Sequence, residues 1–211
     1  MCILKTLAFC IVLAFAASGT LAQDRPPMTI LSPEDLWHGF DPRALPLEIE
    51  VLQTWQEEGV TFEKLRFTGE VAEGGEKVRV FAIQGAPTGG KRLPGILHIH
   101  GGGQTASLAW VKFWTGRGYV CVSFDFCGPW QQRTEYTEWG PIEQGNMAKA
   151  QGGLQVHPTP RESSWYHWAL VSRRALTLLE SHPAVDPKRL GIFGISVGGN
   201  LTWMVAGSDR R

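Results

Sequence analysis

Residues 194–199 have the sequence Gly-Ile-Ser-Val-Gly-Gly, a G-x-S-x-G motif centred on Ser196. An apolar run, Leu190 to Ile195, precedes the serine, and a second apolar stretch begins at Leu201. These flanks predict a strand, a sharp turn and a helix, the context in which a serine is exposed as a nucleophile above the edge of a sheet. Small neighbours let the chain reverse there without clashes. We therefore predict that Ser196 is a catalytic nucleophile; the alternative is a tight turn with an incidental serine.

A second glycine-rich stretch, His100-Gly101-Gly102-Gly103, ends an earlier apolar run. In enzymes with a nucleophile elbow, backbone N–H groups of such a loop and of the residue after the serine together bind the negatively charged oxygen of the intermediate. We therefore predict Gly101, Gly102 and Val197 as backbone oxyanion-hole donors. The alternative is a flexible loop after a strand. The histidine that opens the stretch is expected to hold the loop and not to act as a base.

Three nearly continuous apolar runs predict strands that are buried on both faces, as in parallel sheets. They are residues 95–100, 118–126 and 190–195. Helical patterns separate them, at Ala106 to Arg117 and in an apolar stripe from Trp165 to Leu179, and Pro183 ends the second helix. Thr159 to Glu162 has the pattern of a capping box at its start. Alternating strands and helices predict an α/β fold with helices on both faces of the sheet.

The patterns before residue 95 differ. A lead-in rich in proline, residues 23–58, is expected to contain a short helix around Leu47 to Glu57. Two alternating segments, Val60 to Phe67 and Val78 to Ile83, predict an antiparallel pair at the edge of the sheet, because Gly74-Gly75 supplies a turn between them.

The N-terminus has the features of a signal peptide. Lys5 precedes an apolar run from Leu7 to Ala17, and the small residues Thr20 and Ala22 fit a cleavage site after Ala22. The alternative is a membrane anchor, but the run is shorter than the roughly 20 residues that a span needs. We predict a secreted or periplasmic protein with no stable membrane insertion after signal removal.

Composition excludes several classes of partner. The chain has 20 basic and 20 acidic residues and no basic run, so we expect no nucleic-acid partner. Cys121 lies on a predicted strand and Cys127 just after it. Six residues of extended chain span roughly 20 Å, too far for a disulfide, so both are expected to be buried free thiols. His98 and His100 lack a third ligand at suitable spacing, and no phosphate-binding motif is present, so we predict no metal and no cofactor.

Three segments carry a resemblance to a known superfamily. They are residues 96–103, 186–194 and 195–199. They resemble acetylxylan esterases, dienelactone hydrolases and prolyl-oligopeptidase-like members of the α/β-hydrolase superfamily, over residues 60–207. The resemblance implies a serine esterase that works through an acyl-enzyme on Ser196, acting on a small-molecule or carbohydrate ester and, by family analogy, deacetylating a polysaccharide. Together with the N-terminal features, this divides the chain into a signal peptide (1–22), the lead-in (23–58) and a partial α/β-hydrolase domain (59–211).

The sequence departs from that family after the nucleophile. The family order is serine, then an acid, then histidine. Residues 197–211 include Asp209, which we do not expect to be the triad acid, and they include no histidine. All six histidines precede Ser196, and His157 is the only one that we consider as a base. We therefore expect a truncated gene model or fragment that lacks the last strands of the fold and is inactive alone.

Aromatic residues mark the long segment from Cys127 to Pro158. Trp130, Tyr136 and Trp139 lie among polar residues there, and loops after strands line the ligand crevice of open α/β sheets. We name these three as substrate-loop candidates; the alternative is that they anchor the loop. Asp125, at the end of its strand, is expected to fix the loop through hydrogen bonds.

Two other functions stay open from the sequence. A prolyl-oligopeptidase-type peptidase is disfavoured because the lead-in is too short for the large β-propeller that usually precedes such a domain. A non-catalytic fragment or binding protein on a decayed hydrolase would explain the missing histidine, although the two glycine motifs are intact.

Overall fold

The computed structural model describes residues 29–30, 32–130, 132–149 and 156–211. The predicted signal peptide, residues 1–22, lies outside the described residues. Within the described part of the chain, no helix combines the length and apolar character needed to cross a membrane.

A mixed sheet of six strands forms the centre of the molecule, in the order β1-β2-β3-β5-β4-β6. The strands are β1 (Glu50–Glu57), β2 (Val60–Val71), β3 (Lys77–Pro87), β4 (Leu93–Ile99), β5 (Val120–Phe124) and β6 (Val185–Gly194). Strands β5, β4 and β6 pair in parallel, and β1, β2, β3 and β5 pair antiparallel. The three runs are therefore confirmed as parallel strands, and β4 and β5 are buried as predicted. The third run differs, because β6 lies at the edge of this sheet and its residues 190–194 are only partly buried.

Four α-helices accompany the sheet in the described residues. They are α1 (Pro33–Trp37), α2 (Leu108–Thr115), α3 (Ser164–Ser181) and α4 (Val197–Ser208). Alternate residues of β4 enter two different cores: Leu97 and Ile99 pack with α3 and α4, and Ile96 packs with α2. Helices thus cover both faces of the sheet, as the alternating pattern predicted.

The prediction of a helix around Leu47 to Glu57 was wrong, because most of this segment forms the edge strand β1. Glu58 and Gly59 both have positive φ, 50° and 74°, and join a strand pair in which Glu57 faces Val60. Two such residues make the tight turn that reverses a chain into a hairpin. The predicted antiparallel pair is present as β2 and β3, with β1 outside it.

The start of α3 also differs from the prediction. Thr159 caps a separate 3-10 turn, Pro160–Glu162, and its hydroxyl accepts a hydrogen bond from the N–H of Arg161. Ser163 then adopts an extended conformation and caps α3 itself. Thr159 therefore caps the short turn and not the long helix. The predicted end is confirmed, because α3 stops at Ser181 before the proline.

Both predicted free thiols are confirmed. Cys121 and Cys127 are buried and unpaired with each other. Desolvation raises the pKa of each thiol, that of Cys127 to about 12. A thiol that stays protonated is a poor nucleophile, so these two cysteines are structural.

Candidate active site

Ser196 occupies a strained turn between β6 and α4. Its φ and ψ are 57° and −123°, a backbone conformation that residues other than glycine rarely adopt. Strain of this kind persists only where the surroundings enforce it, and it is concentrated at functional sites. The N–H of Gly198 donates to the carbonyl of Ile195 at 3.0 Å, and that of Asn200 donates to the carbonyl of Ser196 at 3.1 Å. These bonds tie the turn directly into the first turn of the helix.

The glycines on either side of Ser196 let the turn press against the end of β4. A Cβ atom on Gly194 would lie 2.8 Å from the carbonyl oxygen of Ile99 and would also overlap the backbone of Gly198. A Cβ atom on Gly198 would lie 2.5 Å from the carbonyl oxygen of His100. Backbone atoms cannot swing aside as a flexible side chain can, so sterics alone require glycine at both positions.

The glycine loop after β4 lies beside the N-terminus of α4. A Cβ atom on Gly102 would come 3.0 Å from Cγ2 of Val197. The N–H of Gly101 donates to Oε1 of Gln104 at 2.9 Å, whereas the N–H groups of Gly102 and Val197 donate to none of the residues that the structure describes. Two of the three predicted oxyanion donors are therefore available, and the third is engaged by a side chain.

Arg133 holds the same loop from the segment after β5. Its Nη1 donates to the carbonyl of Gln104 at 2.5 Å, and its Nη2 donates to the carbonyl of Gly103. The guanidinium also lies 3.7 Å from Oδ1 of the buried Asp125. The sequence analysis missed Arg133, since nothing in an irregular segment signals a contact with a loop about 30 residues away.

Asp125 organises the start of that segment, as predicted. Its carboxylate is fully buried and accepts hydrogen bonds from three backbone N–H groups. The donors are Cys127 at 3.3 Å, Gly128 at 3.0 Å and Thr137 at 2.8 Å. The bonds fold the chain back on itself immediately after β5, which brings Arg133 to the glycine loop.

His100 has the structural role that the sequence suggested. Its Nδ1 donates to the carbonyl of Gly101 at 2.7 Å, and its Nε2 accepts the N–H of Phe126 at 3.3 Å. The ring also stacks on that of Phe126, with centroids 4.2 Å apart. With both nitrogens occupied, this histidine is not free to act as a general base.

Donor atoms of His100, Asp125 and Cys127 lie within 4.8 Å of one another, close enough to share a metal ion. The histidine and the carboxylate already hold backbone N–H groups. Burial keeps the cysteine protonated, whereas a metal needs the thiolate. The cluster therefore fits a hydrogen-bonded core and not a metal site.

The three aromatic substrate-loop candidates differ in burial. Trp139 is 2% exposed and its Nε1 donates to the carbonyl of Phe126 at 3.2 Å, so its assignment as a substrate residue is corrected to that of an anchor. Trp130 is partly exposed and its Nε1 lies 3.5 Å from where a Cβ atom of Gly103 would be, above the glycine loop. Tyr136 is partly exposed on the same segment.

Among the described residues, nothing hydrogen-bonds to the hydroxyl of Ser196. None of the hydrogen bonds of the six histidines involves Ser196, and His157 lies exposed in the loop before Pro158. Asp209 follows the far end of α4, where it pairs with Arg211 and Arg173. That it is not a triad acid stays a prediction. The described residues supply a serine and two N–H donors but no base.

Comparison of the sequence with family profiles matches residues 52–211 to the acetyl xylan esterase (AXE1) family. No curated protein matches the chain in sequence. The fold is similar to solved structures of esterases. An acetyl xylan esterase from Paenibacillus sp. R4 superposes with a TM-score of 0.62 at 20% identity, over 85% of this chain and 54% of that one.

Acetyl xylan esterase 1 from Thermoanaerobacterium sp. JW/SL YS485 gives a TM-score of 0.60 at 21% identity, over 79% of this chain and 50% of that one. A glucuronoyl esterase from Solibacter usitatus gives 0.51 at 17% identity, over 77% and 49%. The chain thus spans about half the length of these proteins. The likeness confirms the α/β-hydrolase fold, and the family match shows that the chain belongs to the acetyl xylan esterase (AXE1) family.

Proposed function

We propose that this chain carries the nucleophile and the oxyanion hole of a secreted serine ester hydrolase that removes acetyl groups from a polysaccharide. One observation carries the proposal: Ser196 is held at positive φ between β6 and α4, next to two N–H groups, those of Gly102 and Val197, that have no acceptor among the described residues. A strained serine beside unused donors is the arrangement that acyl transfer requires.

The chemistry follows from these three positions. The hydroxyl oxygen of Ser196 attacks the carbonyl carbon of the ester, and its proton passes to a general base. The carbonyl oxygen becomes an oxyanion that the N–H groups of Gly102 and Val197 stabilise, helped by the positive end of the α4 dipole. The bond to the alcohol oxygen then breaks, the base returns the proton to that alcohol, and an acetyl-enzyme remains. Water activated by the same base releases acetate.

We place the base outside the described residues, because no histidine among them hydrogen-bonds Ser196. The family order places an acid and a histidine after the nucleophile. A form of the chain that continues past Arg211, or a partner chain, is therefore the source to test. Without a base the serine hydroxyl is a weak nucleophile.

A carbohydrate ester is the substrate class that the surroundings favour. The family and two of the similar structures are described as acetyl xylan esterases. Trp130 lies over the glycine loop with part of its ring exposed, and Tyr136 is on the same segment. Such aromatic faces suit a sugar ring or another flat group that carries the ester.

The direct test is acetate release from acetylated xylan by a form extended past Arg211. We expect release that Ser196→Ala abolishes. Trp130→Ala should raise KM for the polysaccharide and leave hydrolysis of p-nitrophenyl acetate nearly unchanged, and Trp203→Ala, an 81% exposed tryptophan of α4, is the matched control. Absence of acetate release, together with cleavage of aminoacyl amides, would favour a peptidase instead.

Secretion is tested separately. From the N-terminal features we propose cleavage after Ala22, so protein recovered outside the cytoplasm should begin at Gln23. Recovery of the intact N-terminus from the membrane fraction would contradict this part of the proposal.

A further inference from the structure

A pocket of about 390 Å³ lies at the end of α4 opposite Ser196. Its walls come from the lead-in around α1, from α3 and from the last residues of α4, including Trp37, Phe40, Arg173 and Gly207. Since α4 has 12 residues, roughly 18 Å of helix separates this pocket from the nucleophile. Its volume is in the lower part of the range for small-molecule sites, about 300–1,000 Å³.

Arg173 is the unusual residue of this pocket. Arg173 is only 6% exposed. Its Nε and Nη1 are buried, yet they have no hydrogen-bond partner among the described residues. Its guanidinium lies over the rings of Phe40, at 4.9 Å, and Trp37, at 5.9 Å. Aromatic contacts occupy the faces of a guanidinium and leave its N–H edge free.

Asp209, the carboxylate paired with Arg173, satisfies that edge only weakly. Oδ2 of Asp209 is 3.5 Å from Nε of Arg173, too long for a good charged hydrogen bond. Both oxygens of Asp209 are bonded to Arg211, at 2.7 Å and 2.5 Å. Burial lowers the pKa of Arg173, and Asp209 only partly opposes this. A buried cation with unfilled donors is costly, and each such case in a native protein calls for a partner.

We propose that this pocket binds the carboxylate of a small organic acid or of a sugar acid, with Arg173 as the residue that holds it. The planar N–H fork of arginine matches a planar carboxylate through two parallel hydrogen bonds. Arg210 adds a second positive charge to the lining, and Glu34 adds a negative one. Because Glu34 leaves the lining with a small net positive charge, a monoanion fits better than a doubly charged phosphate or sulfate.

Binding is measured directly, so the result does not depend on ester hydrolysis. The probes are sodium glucuronate, sodium acetate and uncharged glucose, titrated into the protein at constant ionic strength by calorimetry and by tryptophan fluorescence, since Trp37 lies in the pocket. We expect glucuronate to bind and glucose to show at least tenfold weaker binding. If glucuronate binds more tightly than acetate, the carboxylate comes from a sugar acid. If the two bind with equal affinity, it comes from a small free acid.

Two variants of one position provide the structural control. Gly207 lines the pocket, and a Cβ atom there would meet nothing within 4 Å. Gly207→Glu places a carboxylate of the protein's own in the pocket and should weaken glucuronate binding at least tenfold, whereas Gly207→Gln should preserve it. Arg173→Gln should abolish binding if it folds. The proposal is overturned if neither carboxylate binds at millimolar concentration, or if Gly207→Glu and Gly207→Gln bind glucuronate equally.

Discussion

The turn around Ser196 and the glycine loop after β4 are adjacent, yet different forces hold their backbones. At the turn, Gly194 and Gly198 press directly against the carbonyls at the end of β4, and a single methyl group would collide with backbone atoms. The loop instead depends on side-chain hydrogen bonds. The adjacent Gln104 accepts the N–H of Gly101, and the distant Arg133 donates to the carbonyls of Gly103 and Gln104.

This difference teaches where each region should be vulnerable. A backbone fixed by close packing fails when atoms are added, because protein interiors have no room to absorb them. A backbone fixed by hydrogen bonds fails when a donor or acceptor is removed, and it fails more gently because water or a neighbouring group replaces part of the bond. Substitutions at the turn should therefore affect folding, and substitutions around the loop should affect catalysis.

Gly198→Ala should have the largest effect. Its Cβ would meet the carbonyls of Ile99 and His100, so we expect a loss of about 3 kcal/mol or more in the free energy of unfolding. Gly207→Ala in the same helix meets nothing and should raise that free energy by about 0.5–1 kcal/mol. Urea unfolding followed by circular dichroism measures both. Equal, small effects would show that packing does not fix the turn.

His98, on the strand β4 that leads to the glycine loop, should make the stability of the protein sensitive to acid. Burial, with a smaller contribution from His100, lowers the pKa of His98 to about 4. The unfolded chain, with an ordinary pKa near 6.5, takes up this proton first, so stability falls as pH drops from about 6.5 to about 4. Between pH 7.5 and 5 this histidine should account for a loss of about 2 kcal/mol.

The control for this pH dependence is His98→Asn, which removes the titrating ring and keeps a polar group facing Ser123, its partner at 2.8 Å. Urea unfolding at both pH values should show a smaller drop in the variant than in the parent. An identical drop in the two proteins would mean that other groups cause the acid sensitivity.

Arg133→Gln should separate catalysis from folding. Loss of the two bonds to the loop carbonyls lets the N–H of Gly102 move away from the oxyanion, so we expect kcat for p-nitrophenyl acetate to fall about tenfold with little change in KM. Arg117→Gln, at an exposed arginine that bonds only within its own helix end, should leave kcat unchanged. A change in KM alone would place Arg133 in substrate binding instead.

Gln104→Ala should have the smallest effect. It frees the N–H of Gly101, but the proposed hole is formed by Gly102 and Val197, so activity should change by less than about threefold. Assays on the form extended past Arg211 measure this. A rise of tenfold or more would show that Gly101 is a third donor that Gln104 normally blocks.

Local motifs explain what the sequence could predict. The elbow and the glycine loop are short, and the requirement for glycine at the elbow is steric, so residues 101–102 and 196–198 could be predicted as spatial neighbours. Strands β4 and β5 were also recognisable, because burial on both faces leaves continuous apolar runs. The run in β6 is equally apolar, although its residues 190–194 are only partly buried at the sheet edge. In contrast, β1 is almost wholly exposed at the sheet edge and shows no periodic burial, which is why it was mistaken for a helix.

Long-range contacts explain what the sequence could not predict. Arg133 and Met147 support the glycine loop through contacts that only the folded chain defines. Trp139 could not be assigned to the core, because an aromatic residue in a polar segment fits either an anchor or a binding surface until its burial is known.

Labelling with a fluorophosphonate probe, followed by mass spectrometry of the adduct, tests the central claim most directly. The probe reacts only with an activated serine. The account predicts an adduct on Ser196 in the form extended past Arg211, none in its Ser196→Ala variant, and none in the 211-residue chain. An adduct on Ser196 in the 211-residue chain would show that it finds its own base. An adduct on another serine, or none in an extended form that hydrolyses esters, would contradict the assignment of Ser196 as the nucleophile.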